Sequence, residues 1–162
     1  MPSLAKQTCK QAGLDFRFKS QGISQMHSNW EYFSEEELGC RCGMCNISSK
    51  AMDDELMEWV VTMRKKLDFP FPVTSGARCP PHDLRVGGRS NHTINFDSLK
   101  CHALDIQVSN ERMYKIIDYV YGNKGVIRGL GIKARGPHAQ RFIHIDNNPK
   151  RDDQLIIVWS YN

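Results

Sequence analysis

No apolar run in this chain approaches the ~20 residues that a membrane-spanning helix needs, so a helical span is not expected. The N-terminal stretch "MPSLAKQTCKQAGLDFRFKSQ" has scattered charges and no apolar centre, and it does not read as a secretory signal. Lysine and arginine form no dense run, so no nucleic-acid stripe is expected. Repeats and low-complexity segments are missing, which excludes solenoids and arrays. Hydrophobic residues are not scarce: at 40% hydrophobic and 25% charged, the composition is that of a folded globular chain and not a disordered one. A length of 162 residues suits one domain with a proper core and is short for two. The formal charge of +4 is mild; it fits an anionic polymer as partner and equally an ordinary basic surface.

What the chain does have is clustered chemistry. Six cysteines stand at 9, 40, 42, 45, 79 and 101, three of them within "CRCGMC". The favoured reading is a disulfide from this cluster to Cys79. The alternative is a closed tetrathiolate zinc site of Cys40, Cys42, Cys45 and Cys79, although C-x-C-x-x-C is not a standard zinc spacing. Residues 1–30 are polar and without period, and they read as a loosely ordered arm ahead of a domain at 31–162. Ser34 before three glutamates is a helix cap. From Ser49 to Leu67 the residues Met52, Leu56, Val60, Met63 and Leu67 recur at helical spacing, with acids at the start and bases at the end. "FPFPV" stops that helix. Val73 and Thr74 begin a strand, and "SGARCPPHDLRVGG" reads as a loop. Asn110 can cap a second helix presenting Met113, Ile116, Ile117 and Val120. Strands then follow in "GVIRGLGI", "RFIHID" and "LIIVWSY". The pattern predicts a single α+β domain with a mostly antiparallel sheet packed with helices.

A catalytic zinc site takes three histidine or carboxylate ligands and keeps one position open. In "RFIHID" strand alternation places His144 and Asp146 opposite Ile143 and Ile145. In "HALDIQV" Asp105 shares a face with Ala103, while His102 shares the other with Leu104 and Ile106. A carboxylate between Leu104 and Ile106 is costly to bury unless paired or metal-bound. His92, in the preceding loop, can approach freely. The residues alone thus favour His92, Asp105 and His144, against a plainer reading of His144 as a polar group on a wet sheet face.

"SGARCPPHDLRVGGRSNH", then "ALDI", then "FIHID", in this order, resemble the zinc-dependent M15 family of D-Ala-D-Ala carboxypeptidases and related bacteriophage peptidoglycan peptidases. "YFSEEELGCRCG" and "WSY" look like its phage-type branch. The resemblance spans roughly residues 32 to 161 and implies the zinc fold shared with the hedgehog signalling domain. It implies one catalytic Zn2+ held by His92, Asp105 and His144. It makes Arg78 the arginine that meets a substrate carboxylate or carbonyl oxygen, with Ser90 of the Ser-x-His element also substrate-binding.

Two departures stand out. Eight residues separate His92 from Cys101, where the family pattern has two residues and then glycine. Asp97 or His102 in this region is therefore a competing ligand. Arg141 occupies the position, three residues before the last zinc histidine, where several branches carry a carboxylate base. His138 is the preferred base, by resemblance to a branch with an upstream histidine, and Asp146 is the other candidate. The resemblance implies a monomeric peptidoglycan peptidase acting on stem peptides, as a carboxypeptidase or an L-Ala–D-Glu endopeptidase. It also implies a phage lysin that waits in the host cytoplasm for later access to the wall, or travels with the virion. The rival readings are a zinc-containing but catalytically silent binding module, and a zinc-free, disulfide-stapled domain.

Overall fold

Two capping residues, Ser48 and Asp53, divide the segment that the sequence pattern assigns to one helix. In the computed structural model, which describes residues 30–88, 91–95, 98–151 and 155–162, Ser48 caps a single 3-10 turn at Ser49–Ala51. Asp53 then opens the helix proper, its carboxylate accepting the Leu56 N–H. Between them Met52 leaves the helical path and bridges to Cys101, so it is buried by strand-like pairing and not by the helix stripe. The first helix, α1 (Glu35–Leu38), is held by a reciprocal box between Ser34 and Glu37. The long helix α2 (Asp54–Leu67) carries Asp54 and Glu55 at its start and Arg64, Lys65 and Lys66 at its end. The segment read as a loop contains a short helix, α3 (Pro80–Arg85). Its prolines fall in the first turn, where a missing N–H costs nothing. Helix α4 (Asn110–Gly122) follows Ser109, which makes no side-chain cap bond.

Five strands form one mixed sheet: β1 (Val73–Ser75), β2 (Ala103–Gln107), β3 (Gly129–Lys133), β4 (Phe142–Asp146) and β5 (Ile157–Ser160), in spatial order β1-β2-β4-β3-β5. Only the β3–β5 pairing is parallel, so the expected α+β architecture holds with one parallel edge. Strand alternation gives the sheet two chemically distinct faces. Leu104, Ile106, Leu130, Ile143 and Ile145 are fully buried in one cluster with Leu56, Met57, Val60 and Met63 of α2 and Met113, Ile116 and Val120 of α4. Each such aliphatic side chain contributes about 1.5–3 kcal/mol over its exposed state, which fixes the strand register. The opposite face carries a row running across all five strands: Ser75, Asp105, His144, Gly131 and Trp159. Among the described residues, no helix is long and apolar enough to cross a membrane.

Candidate metal centre

Asp105 and His144 are direct partners in the antiparallel β2–β4 pair, so their side chains emerge side by side. His92 arrives from the loop between α3 and β2. Its carbonyl accepts the Arg78 N–H, and the Arg78 carbonyl accepts the Ile94 N–H, which ties this loop to the segment after β1. The His92 ring donates from Nδ1 to the Gly76 carbonyl at 3.0 Å, leaving Nε2 as the free lone pair. His144 is held in the opposite sense: Nε2 donates to Asp146 Oδ2 at 3.1 Å, which turns Nδ1 toward the site.

The three donor atoms converge. His92 Nε2 lies 3.2 Å from His144 Nδ1 and 3.2 Å from Asp105 Oδ1, and the last two are 2.8 Å apart. Tetrahedral zinc with bonds near 2.0–2.1 Å would separate its ligands by about 3.3 Å, so the donor set fits. Two imidazole lone pairs and a carboxylate meeting at one buried point need a cation or shared protons between them. Burial opposes the charge on Asp105, but hydrogen bonds from His144 and His92, with their charge, outweigh it and hold its carboxyl well below the usual range. Burial likewise works against a charged His144, and the Asp105 and Asp146 carboxylates overcome it, raising its pKa above the ordinary histidine value.

The surroundings hold these ligands in place. Asp146 is fully buried; its oxygens accept from His144, from Arg151 Nη1 at 2.9 and 3.1 Å, from the Asn148 amide and from Asn91. Gly129 makes room for this pair, since a Cβ there would stand 1.9 Å from Arg151 Nη1. Gly131 does the same for the aromatic wall of Trp159 and Tyr161. The Trp159 ring lies 5.3 Å from that of His144 and carries the Arg151 guanidinium on its face at 5.0 Å. Arg78 Nη1 donates to Asp83 at 2.9 Å, and Nη2 lies 3.9 Å from Asp105 Oδ2. Asp83 in turn accepts from Thr93 Oγ1 at 2.7 Å and packs against Gly88. Asp83, Gly76 and Arg151 escape sequence reasoning, because their roles depend on contacts across the fold; the only trace is the "VGG" that leaves space beside Asp83.

The described ends of the insertion are anchored. Ile94 enters the core, and Lys100 Nζ reaches Asp54 and the Met52 carbonyl. His102 turns away to Asn147 Oδ1 at 3.1 Å, on the side of Asp53, and is not among the converging donors. Asp97 and Ser90 lie outside the described residues. His138 sits on an exposed 3-10 turn, His138–Gln140, its Nδ1 paired with Ser109 Oγ at 3.3 Å. Arg141 donates to the Gly136 carbonyl and to Asn110 Oδ1.

The profile of the family described as Peptidase M15 matches residues 31–146. The chain belongs to the peptidase M15 family. The match runs from the start of the expected domain to Asp146, and so takes in Arg78, His92, Asp105 and His144 while leaving β5 outside. Comparison with curated proteins and with solved structures finds no match.

The cysteines depart from the expected disulfide. None of the five described cysteines is bonded to another; Cys40, Cys42, Cys45 and Cys79 instead gather their sulfurs within 4.8 Å of one another. Cys42 and Cys45 Sγ are 3.4 Å apart and Cys79 and Cys42 Sγ 3.9 Å, far beyond the ~2.05 Å of an S–S bond. Burial alone would raise the Cys42 thiol, yet the Met44 amide and the neighbouring thiols bring it down to about 7, while burial pushes Cys45 up to about 12. Cys101 is a separate, fully buried thiol, raised to about 12 by its surroundings.

Proposed function

We propose that this peptidase is zinc-dependent and hydrolyses peptide bonds in the stem or cross-link peptides of bacterial peptidoglycan, acting as a monomer. The convergence of His92 Nε2, Asp105 Oδ1 and His144 Nδ1 carries the reading. When bound, zinc polarises a carbonyl and lowers the pKa of water. The chain's own residues supply the rest. Asp146 and the Gly76 carbonyl hold the two imidazoles in the tautomers that present their ligating nitrogens. Arg78, braced by Asp83, offers a planar guanidinium that can grip a substrate carboxylate or steady a developing oxyanion. Ser90 joins it on the substrate. His138 takes a proton during attack and returns it to the leaving amine. A His138→Ala variant with full turnover would remove that assignment. The resemblance to the phage-type branch supports a lysin that reaches the wall from the host cytoplasm or with the particle.

A second reading, a silent zinc-containing binding module, draws on Arg141, which stands at the carboxylate position and is tied to Gly136 and Asn110. Zinc content and peptide release from purified peptidoglycan, measured on wild type and His144→Ala, separate the two. The peptidase reading expects bound zinc and cleavage in wild type and neither at this site in the variant. Zinc without cleavage of any wall peptide favours the binding module.

A further inference from the structure

We propose that Cys40, Cys42, Cys45 and Cys79 bind a second zinc ion, which clamps the chain segment carrying Arg78. The four sulfurs already lie within 4.8 Å of one another. A ZnS4 tetrahedron with 2.3 Å bonds has edges of about 3.8 Å, and the 3.4 and 3.9 Å separations lie on either side of that length. The Cys42-Gly43-Met44-Cys45 turn has the two-residue spacing usual for a thiolate pair, with Gly43 at φ +69° making the bend. Cys40 and Cys79 complete the set from either side.

Backbone amides point at the sulfurs, as they would to stabilise thiolates. The Met44 N–H donates to Cys42 Sγ and the Cys79 N–H to Cys40 Sγ, each at 3.3 Å, and the Ile47 N–H donates to Cys45. His82 Nδ1 lies 3.3 Å from Cys40 Sγ, and the charges of Arg78 and Arg85 reach His82. Four thiols that release their protons to water and bind one Zn2+ leave a net charge of −2, which the amide N–H donors at the sulfurs stabilise. Residues 41–46 include no buried residue and no helix or strand; Cys40, Cys42 and Cys45 lie partly buried at the edge of the core beside the fully buried Cys79. The loop is docked where it matters: Arg41 donates to the Val73 and Thr74 carbonyls, and the Leu38 carbonyl accepts from Ala77. A metal at this point fixes Cys79, the residue next to Arg78, against the loop.

The test is cobalt substitution of the full chain under reducing conditions, read by absorption. Thiolate-bound cobalt gives intense near-ultraviolet charge-transfer absorption that histidine and carboxylate ligands do not produce. Wild type and His144→Ala are expected to show this band equally, Cys45→Ser to lose it, and wild type to carry two zinc ions per chain where His144→Ala carries one. Amide exchange at Ala77 and Cys79 is expected to quicken in Cys45→Ser. Wild-type protein without the band, or thiol counting that finds a disulfide within the cluster, overturns the inference. The band is independent of peptide hydrolysis, so failure of the peptidase reading leaves it standing. Its absence alongside chelator-sensitive hydrolysis removes this site alone. Should Cys45→Ser fail to fold, the wild-type and His144→Ala spectra still decide.

Discussion

The two clusters of metal-ligating side chains are built in opposite ways. The histidine–aspartate set is mounted on β2 and β4, whose register is fixed by fully buried isoleucines and leucines on the other face. Its geometry is present because the sheet is present. The cysteine set is mounted mainly on a loop outside helix and strand, partly buried at the edge of the core and held by amide-to-sulfur hydrogen bonds. The sheet site takes its order from the core beneath it, and the loop site is the one that we infer an ion reinforces. That difference matches their proposed work, since a reacting centre gains from rigid placement and a clamp gains from binding energy that becomes folding energy.

Removing metal is the harshest way to break the comparison. In chelated protein, amide protection across β2 and β4 is expected to persist, while protection at residues 40–47 and 77–79 collapses in hydrogen exchange. Equal loss in both regions would mean the sheet site is not preorganised. Next in size, Arg78→Ala is expected to lower kcat/KM on wall peptides by about 10²–10³-fold. Arg78→Lys should recover little, because a lysine cannot form two parallel hydrogen bonds. Asp146→Asn should weaken zinc binding at the sheet site by about 10–100-fold in a competition titration, with the cobalt–thiolate band unchanged. Gly131→Ala drives a methyl to 2.7–2.8 Å from Tyr161 and Trp159, and a loss of about 1–3 kcal/mol in denaturant unfolding is expected.

The smallest effect is on pH dependence. In metal-free protein the raised pKa of His144 stabilises the fold fully below its ordinary value of 6.5, and this stabilisation disappears as pH rises through the folded-state value. Asp105, with its lowered pKa, contributes above 3.8 and loses that contribution as pH falls. Thermal melts of chelated protein should therefore weaken as pH rises above 6.5. The zinc-loaded form should not follow, since zinc takes the place of the His144 proton.

Much of this was legible from the chain alone, for reasons that differ residue by residue. Alternation in "RFIHID" puts His144 and Asp146 on one face whatever the partner strands are, and Leu104 and Ile106 around Asp105 demand a compensating charge. The helices at α2 and α4 follow from apolar spacing. Alternation does not reveal neighbours, so the row from Ser75 to Trp159, the bond of Asp146 to Arg151 and the bracing of Arg78 by Asp83 had to come from the fold. The start of α2 was misplaced because two caps lie five residues apart, and α3 was missed because prolines read as a loop when they also suit a first turn. The disulfide expectation failed because spacing does not distinguish two sulfurs meeting from four.

The most direct test of the central claim is digestion of purified peptidoglycan by the intact protein, with products read by mass spectrometry before chelation, after it and after zinc is restored. The account predicts new peptide termini that vanish with the chelator, return with zinc and never appear with His144→Ala. Cleavage indifferent to chelation, or full zinc occupancy with no cleavage of any stem or cross-link peptide, would contradict it.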